Sequence, residues 1–206
     1  MTPHGVCLGL WLLFLVSWYA ASLWTAKAVS RGGTRQQLIY YLGFAVGFGL
    51  LFSLPRGLLE YPHLAFGFGG FMPRSWQAPL WRTGAAIGWL LVAIEAAAFA
   101  FAWWARLHLG RLWSGMLTLR EGHRVVDSGP YGLARHPIYT GFILGSWTLA
   151  LAGPSIPVLA GALVLTVVMT AKAGDEEQLL RRELGADAYN AYAARTPMLL
   201  PIVDWK

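Results

Sequence analysis

Charge is scarce in this sequence. Asp, Glu, Lys and Arg together make up 13% of its 206 residues, about half the share that a soluble domain carries, so a water-facing globule could not be covered. Cysteine is scarcer still. The single Cys7 excludes an internal disulfide and a metal centre built from thiolates. His4, His63, His108 and His123 are scattered and form no helical ligand pair, so no metal site is expected. "GFGG" (67–70) is only a fragment of a dinucleotide-binding fingerprint and lacks the strand–turn–helix context of one. No internal repeat and no separate soluble domain is visible.

Apolar residues are what the chain has in quantity, at 56%, with a mean hydropathy of +0.49. Eleven Trp and 24 Gly suit membrane helices, where aromatics sit at the interfaces and small residues let helices approach. Five runs approach the roughly 20 residues needed to cross a bilayer core: 6–29, 38–54, 83–105, 138–153 and 156–173. The second and fourth are short and call for tilt or local thinning. The first ends near "AKA" (26–28), as a cleaved signal would. It lacks a basic leader and its apolar stretch is too long for one, so it reads as a retained anchor. The expected fold is an all-α integral membrane protein, one membrane domain over 1–206, with about five transmembrane helices and a C-terminal cytoplasmic helical tail. "GPS" (153–155) makes the last two spans a tight hairpin. The Gly-, Pro- and aromatic-rich 55–79 stretch reads as an interfacial or re-entrant loop.

Five crossings place thirteen of the sixteen Lys and Arg residues on one side and only Arg56, Arg74 and Arg82 on the other. By the positive-inside rule the N-terminus faces out and the C-terminus faces the cytoplasm, in a bacterial inner membrane. The net charge of +6 is then a topological signature, and no nucleic-acid partner is expected.

The chemically interesting residues fall on that side, in segments 106–137 and 172–201. Before the fourth span a β-like "RVV" (124–126) leads into "DSGPYGLARHPIYTG" (127–141). Pro137 suits the first turn of a helix, whose free N–H groups and dipole favour an anion. Arg135 and His136 add a cation and a titratable donor there, and Tyr139 and Gly141 follow. A plain interfacial reading, with Arg135 snorkelling and Pro137 capping, stays open on the residues alone. Glu176 and Glu177 stand one turn past Lys172, about 100° apart on a helix, so one can face inward and the other water. Glu177 and Arg181 could equally form a solvated i,i+4 pair. Farther on come Tyr189, Tyr192 and Arg195, with Gly185 as an expected helix break and Pro197 as a stop. Glu95, an acid inside the third span, is either a pocket residue or a helix-packing group.

"RHPIYTG" (135–141), preceded by "SGPYG" and followed by "EEQLLRRELGADAYNAYAARTPMLLP" (176–201), resembles the isoprenylcysteine carboxyl methyltransferase family of membrane enzymes. "LGRLWSG" (109–115) is similar to its shorter bacterial members. The resemblance covers about residues 105 to 201, and related endings occur in phospholipid N-methyltransferases and sterol reductases. It implies methyl transfer from S-adenosylmethionine to a lipophilic or lipid-modified acceptor that enters from the bilayer, with a carboxylate favoured. By position it implies that Tyr131, Arg135, His136, Tyr139, Gly141, Glu176, Glu177, Tyr189 and Tyr192 line the cofactor pocket and that Lys172 lies near the substrate. On residue chemistry, Lys172 or Arg195 is the cation to orient a carboxylate acceptor, and with Glu176 they make the catalytic candidates. Lys172 stands where eukaryotic members carry an arginine, which keeps the charge but loses the bidentate fork. An amine acceptor would need a base, with His136 or a Glu as candidates. A nicotinamide-dependent membrane reductase and a non-enzymatic membrane protein are the alternatives from other classes.

Overall fold

A computed structural model describes residues 1–22, 28–31, 33–53, 68, 71–113, 118–120 and 125–199. Its helices are α1 (Pro3–Ser22), α2 (Thr34–Leu51), α3 (Arg74–Gln77), α4 (Ala85–Leu109), α5 (Pro137–Ala152), α6 (Ile156–Leu184) and α7 (Ala186–Ala193). Two short strands, β1 (Ala28–Arg31) and β2 (Thr118–Arg120), pair antiparallel, with Ala28 opposite Arg120 and Arg31 opposite Thr118.

The five expected spans coincide with five of these helices. Three of them, α1, α4 and α6, have the length and apolarity to cross a bilayer, and α5 is a shorter apolar helix. The helix α2 opens on the polar residues Thr34, Arg35, Gln36 and Gln37 and is not among the three. Boundaries differ where backbone pairing or helix continuity outweighs hydropathy. The first helix is described as far as Ser22, and Ala28 and Val29, expected as the end of its span, belong to a strand; 23–27 lie outside the described residues. The β-like segment lies at 118–120 and not at "RVV"; Val125 and Val126 are irregular, and β1 is the partner that selects the earlier register. Arg124 lies outside the described residues, as do 54–67, 69 and 70 of the expected interfacial loop.

Helix α6 is 29 residues long, about 43 Å at 1.5 Å per residue. That exceeds a hydrocarbon layer of about 30 Å, so its last turns, with Asp175, Glu176 and Glu177, extend beyond the apolar part. Gly185, at φ +97°, ends it in a backbone conformation that glycine adopts without steric cost, and α7 starts at the next residue.

Trp11 sits at the middle of the core, fully buried. Its ring lies 4.9–6.0 Å from those of Phe14, Phe48, Phe52, Phe99 and Phe142. Its indole N–H donates to the Gly145 carbonyl at 3.0 Å, so the one polar atom of the ring is satisfied inside the bundle. Small residues let the helices close around this core: Gly43 and Gly47 of α2 face Val168 and Leu165 of α6. Glu95 is fully buried and accepts a hydrogen bond from the Thr148 hydroxyl at 3.0 Å, linking α4 to α5. Arg106, also buried, donates to the carbonyls of Ala21 (2.8 Å) and Gly110 (2.7 Å), so one cation joins the C-terminal ends of α1 and α4.

Candidate functional site

The entry to α5 is a turn held by its far neighbour in sequence. A tight turn at Gly129–Gly132 starts from Gly129 at φ +59°, and the chain then extends through Arg135 and His136 to Pro137, the first helical residue. Along this extended piece the N–H of Arg135 donates to the Pro197 carbonyl (2.8 Å), and that of His136 to the Met198 carbonyl (3.0 Å). The tail beyond α7 therefore lies back across the mouth of the α5–α6 hairpin.

Polar side chains converge from both sides of that mouth. Glu177, with its side chain 3% exposed, accepts from Arg135 Nε at 2.7 Å and from Arg181 at 3.0 Å, and His136 Nε2 lies 3.3 Å from the same carboxylate. The solvated i,i+4 pair is thus present but is one arm of a buried network. Tyr139 donates to Glu176 at 2.7 Å, and the buried Lys172 pairs with both Glu176 and the Tyr139 hydroxyl. The imidazole of His136 lies parallel to the Tyr139 ring, 2° between planes and 5.4 Å between centroids. Both glutamates are engaged here, so the expectation that one faces in and the other faces water is replaced by a division of partners. A 100° step between consecutive residues sends Glu176 to α5 and Glu177 to the segment before it.

Arg135 reaches further. Its Nη1 donates to the carbonyls of Ala193 (2.9 Å) and Thr196, the C-terminal end of α7, where a cation is favourable. Tyr189 and Tyr192 bury their rings edge to face, 5.9 Å apart, and Tyr192 donates to the Tyr131 carbonyl at 2.7 Å. Burial pushes the phenols of Tyr131, Tyr189 and Tyr192 above their ordinary range, so all three are protonated donors at neutral pH.

Of the residues singled out in the sequence, Arg135, His136, Tyr139, Lys172, Glu176 and Glu177 form one cluster. Tyr131, Tyr189 and Tyr192 make the adjoining wall under the tail. Two stand elsewhere. Gly141 faces α4, where a Cβ would sit 2.5 Å from the Ala98 carbonyl and 2.7 Å from Ala102 Cβ; its smallness serves helix packing. Arg195 is 59% exposed and pairs with Asp127 on the surface, because the chain turns out of α7 at Ala194 before reaching it. Sequence reading passed over Asp175, which accepts hydrogen bonds from Gln36 and Tyr40 of α2. The signal available was Gln36 and Tyr40 at i,i+4, one polar face continuing from the start of α2.

Residues 89–182 match the family model described as isoprenylcysteine carboxyl methyltransferase (ICMT) family. The matched ICMT segment, just under half of the chain, runs from within α4 to near the end of α6. It carries Arg135, His136, Tyr139, Lys172, Glu176 and Glu177, while Tyr189 and Tyr192 follow it. Similar curated proteins include protein-S-isoprenylcysteine O-methyltransferase B of Arabidopsis thaliana, 32% identical over 46% of this chain and 49% of that protein. The cobalt-zinc-cadmium resistance protein CzcN of Cupriavidus metallidurans is 30% identical over 62% of this chain and 52% of its own length. The nickel-cobalt-cadmium resistance protein NccN of Alcaligenes xylosoxydans xylosoxydans is 33% identical over 45% and 44%. The chain spans about half the length of these curated relatives.

Proposed function

We propose that this chain transfers a methyl group from S-adenosylmethionine to the carboxylate of a lipophilic acceptor held in the bilayer. The observation that carries this reading is the cluster of Arg135, His136, Tyr139, Lys172, Glu176 and Glu177, placed within the ICMT segment where α5 and α6 leave their apolar core.

The residues present suit the cofactor. S-Adenosylmethionine presents an ammonium, a carboxylate, ribose hydroxyls and an aromatic base. Glu176, with its side chain 21% exposed, is an acceptor for the ammonium or a hydroxyl. His136 Nε2 is buried, and although 3.3 Å from Glu177 it makes no hydrogen bond of acceptable geometry. A buried polar atom left so calls for a further partner, and a carboxylate or hydroxyl of the cofactor supplies one. The rings of Tyr131 and Tyr139 offer faces for the base. When bound, the cofactor would supply an electrophilic methyl whose bond to sulfur breaks as the acceptor oxygen bonds to its carbon, with neutral S-adenosylhomocysteine as the leaving group.

What the protein adds is alignment, since holding two reactants in line removes most of the entropic barrier. A carboxylate is ionised at neutral pH and needs no general base. Lys172, buried against Tyr139 and Glu176, is the cation placed to orient it. Arg195, on the surface, is not proposed for that role. The basic bias of the loops supports a cytoplasmic-facing site.

Titration of the detergent-purified protein with S-adenosylhomocysteine tests the reading. Saturable binding is expected, weakened at least ~10-fold, or about 1.4 kcal/mol, by His136→Ala or Glu176→Ala. Absence of saturable binding, or tighter binding of NADPH, overturns it. Incubating membranes with methyl-labelled cofactor then identifies the acceptor by the mass of the labelled product.

A further inference from the structure

The three consecutive acids at the polar end of α6 each have a partner on a different element. Asp175 accepts from Gln36 and Tyr40 of α2, Glu176 from Tyr139 of α5, and Glu177 from Arg135 before α5. Side chains one residue apart on a helix diverge by about 100°, so the three contacts radiate from one turn and fix the rotation of α6 about its own axis. A rotation that lost the α2 contact would carry Glu176 away from Tyr139 and Glu177 away from Arg135.

Helix α2 otherwise meets α6 through apolar contacts of small residues. Gly43 lies against Val168, Gly47 against Leu165, and Gly161 against Leu51. These set how closely the helices approach. The hydrogen bonds at Asp175 fix which side of the polar end of α6 faces α2. Gln36 and Tyr40 are one turn apart on a single face of α2, Tyr40 is 6% exposed, and Phe44 and Phe48 continue that face into the aromatic core.

We propose that Tyr40 and Gln36 are positioning residues of the methyl-transfer site: by holding Asp175 they orient the turn of α6 that presents Lys172, Glu176 and Glu177. The inference deepens the function proposed above and rests on it. It brings into the site a helix that lies outside the ICMT segment. The hydrogen bonds of Gln36 and Tyr40 go to Asp175, and the proposal is that they act through it.

The test uses the full chain in detergent, with Tyr40→Phe, Asp175→Asn and their combination. Hydrogen–deuterium exchange across 172–181 is read without ligand, S-adenosylhomocysteine affinity by calorimetry, and kcat and KM for the methyl acceptor by transfer of label. Tyr40→Phe keeps the ring and is expected to leave the thermal midpoint of the bundle near wild type. It should raise exchange in 172–181, weaken cofactor-product binding by ~3- to 10-fold, as loss of one buried hydrogen bond would, and lower kcat more than it raises KM. The double variant should lose less than the sum of the two single ones, since both weaken the Tyr40–Asp175 contact. Unchanged exchange in 172–181 together with unchanged affinity overturns the proposal, as do fully additive losses. Failure of the wild-type protein to bind S-adenosylhomocysteine is a different result, which removes the proposed function; the ligand-free exchange separates the two.

Discussion

Arg135 Nε and Glu177 Oε1 lie 2.7 Å apart across 42 residues of chain, with side chains only 8% and 3% exposed. The same guanidinium reaches two carbonyls at the end of α7, so one residue joins the approach to α5, the polar end of α6 and the tail. Arg135→Lys keeps the charge, but an ammonium on one stem cannot serve a carboxylate and two carbonyls in the geometry of a planar fork. It should lower stability by a substantial part of the ~3–5 kcal/mol that losing one partner of a buried pair costs. Thermal unfolding in detergent reads this, and a midpoint equal to wild type would show that the pair does not hold the tail.

Gly141 separates packing from binding. A methyl at this position meets a carbonyl and a methyl of α4, and overpacking of this kind costs about 1–3 kcal/mol. Gly141→Ala is therefore expected to lower the thermal midpoint while the folded fraction binds S-adenosylhomocysteine as wild type does. Normal stability with weakened binding would return Gly141 to the pocket.

The tail offers a contrast between a buried donor and an exposed cation. Tyr192→Phe leaves the Tyr131 carbonyl without its donor inside the protein, at about 1–3 kcal/mol, and should expose 186–199 to limited proteolysis. Arg195→Ala removes an exposed pair with Asp127 and a contact with the Tyr192 ring at 5.9 Å, each worth about 1 kcal/mol or less at the surface, and should leave acceptor KM unchanged and proteolysis far less affected than Tyr192→Phe does. A raised KM in Arg195→Ala would restore it as the substrate cation.

The sequence by itself determined the class and most of the site. Scarce charge and long apolar runs leave a bundle of helices as the way to satisfy the backbone in a bilayer. Pro137 and Gly185 mark their helix ends by φ restriction and φ freedom, which are local properties. The order of Arg135, His136 and Tyr139 before one span, and of Lys172, Glu176 and Glu177 after the next, already put six cluster residues at one mouth.

Tertiary structure decided what those residues face. Helical periodicity places Glu176 and Glu177 100° apart, but only packing shows that both directions are occupied, by Tyr139 and Arg135. Gly141 reads as a close-approach residue in either setting, and only the position of α4 says that a helix approaches it. Arg195 is a cation three residues past Tyr192, and the turn after α7 carries it to the surface. Asp175 looks like one more acid at a helix end until α2 docks. Hydropathy and spacing are properties of one segment, whereas the partners of Asp175, Glu176 and Glu177 come from three others, and which segments meet is fixed by how the whole bundle closes around Trp11.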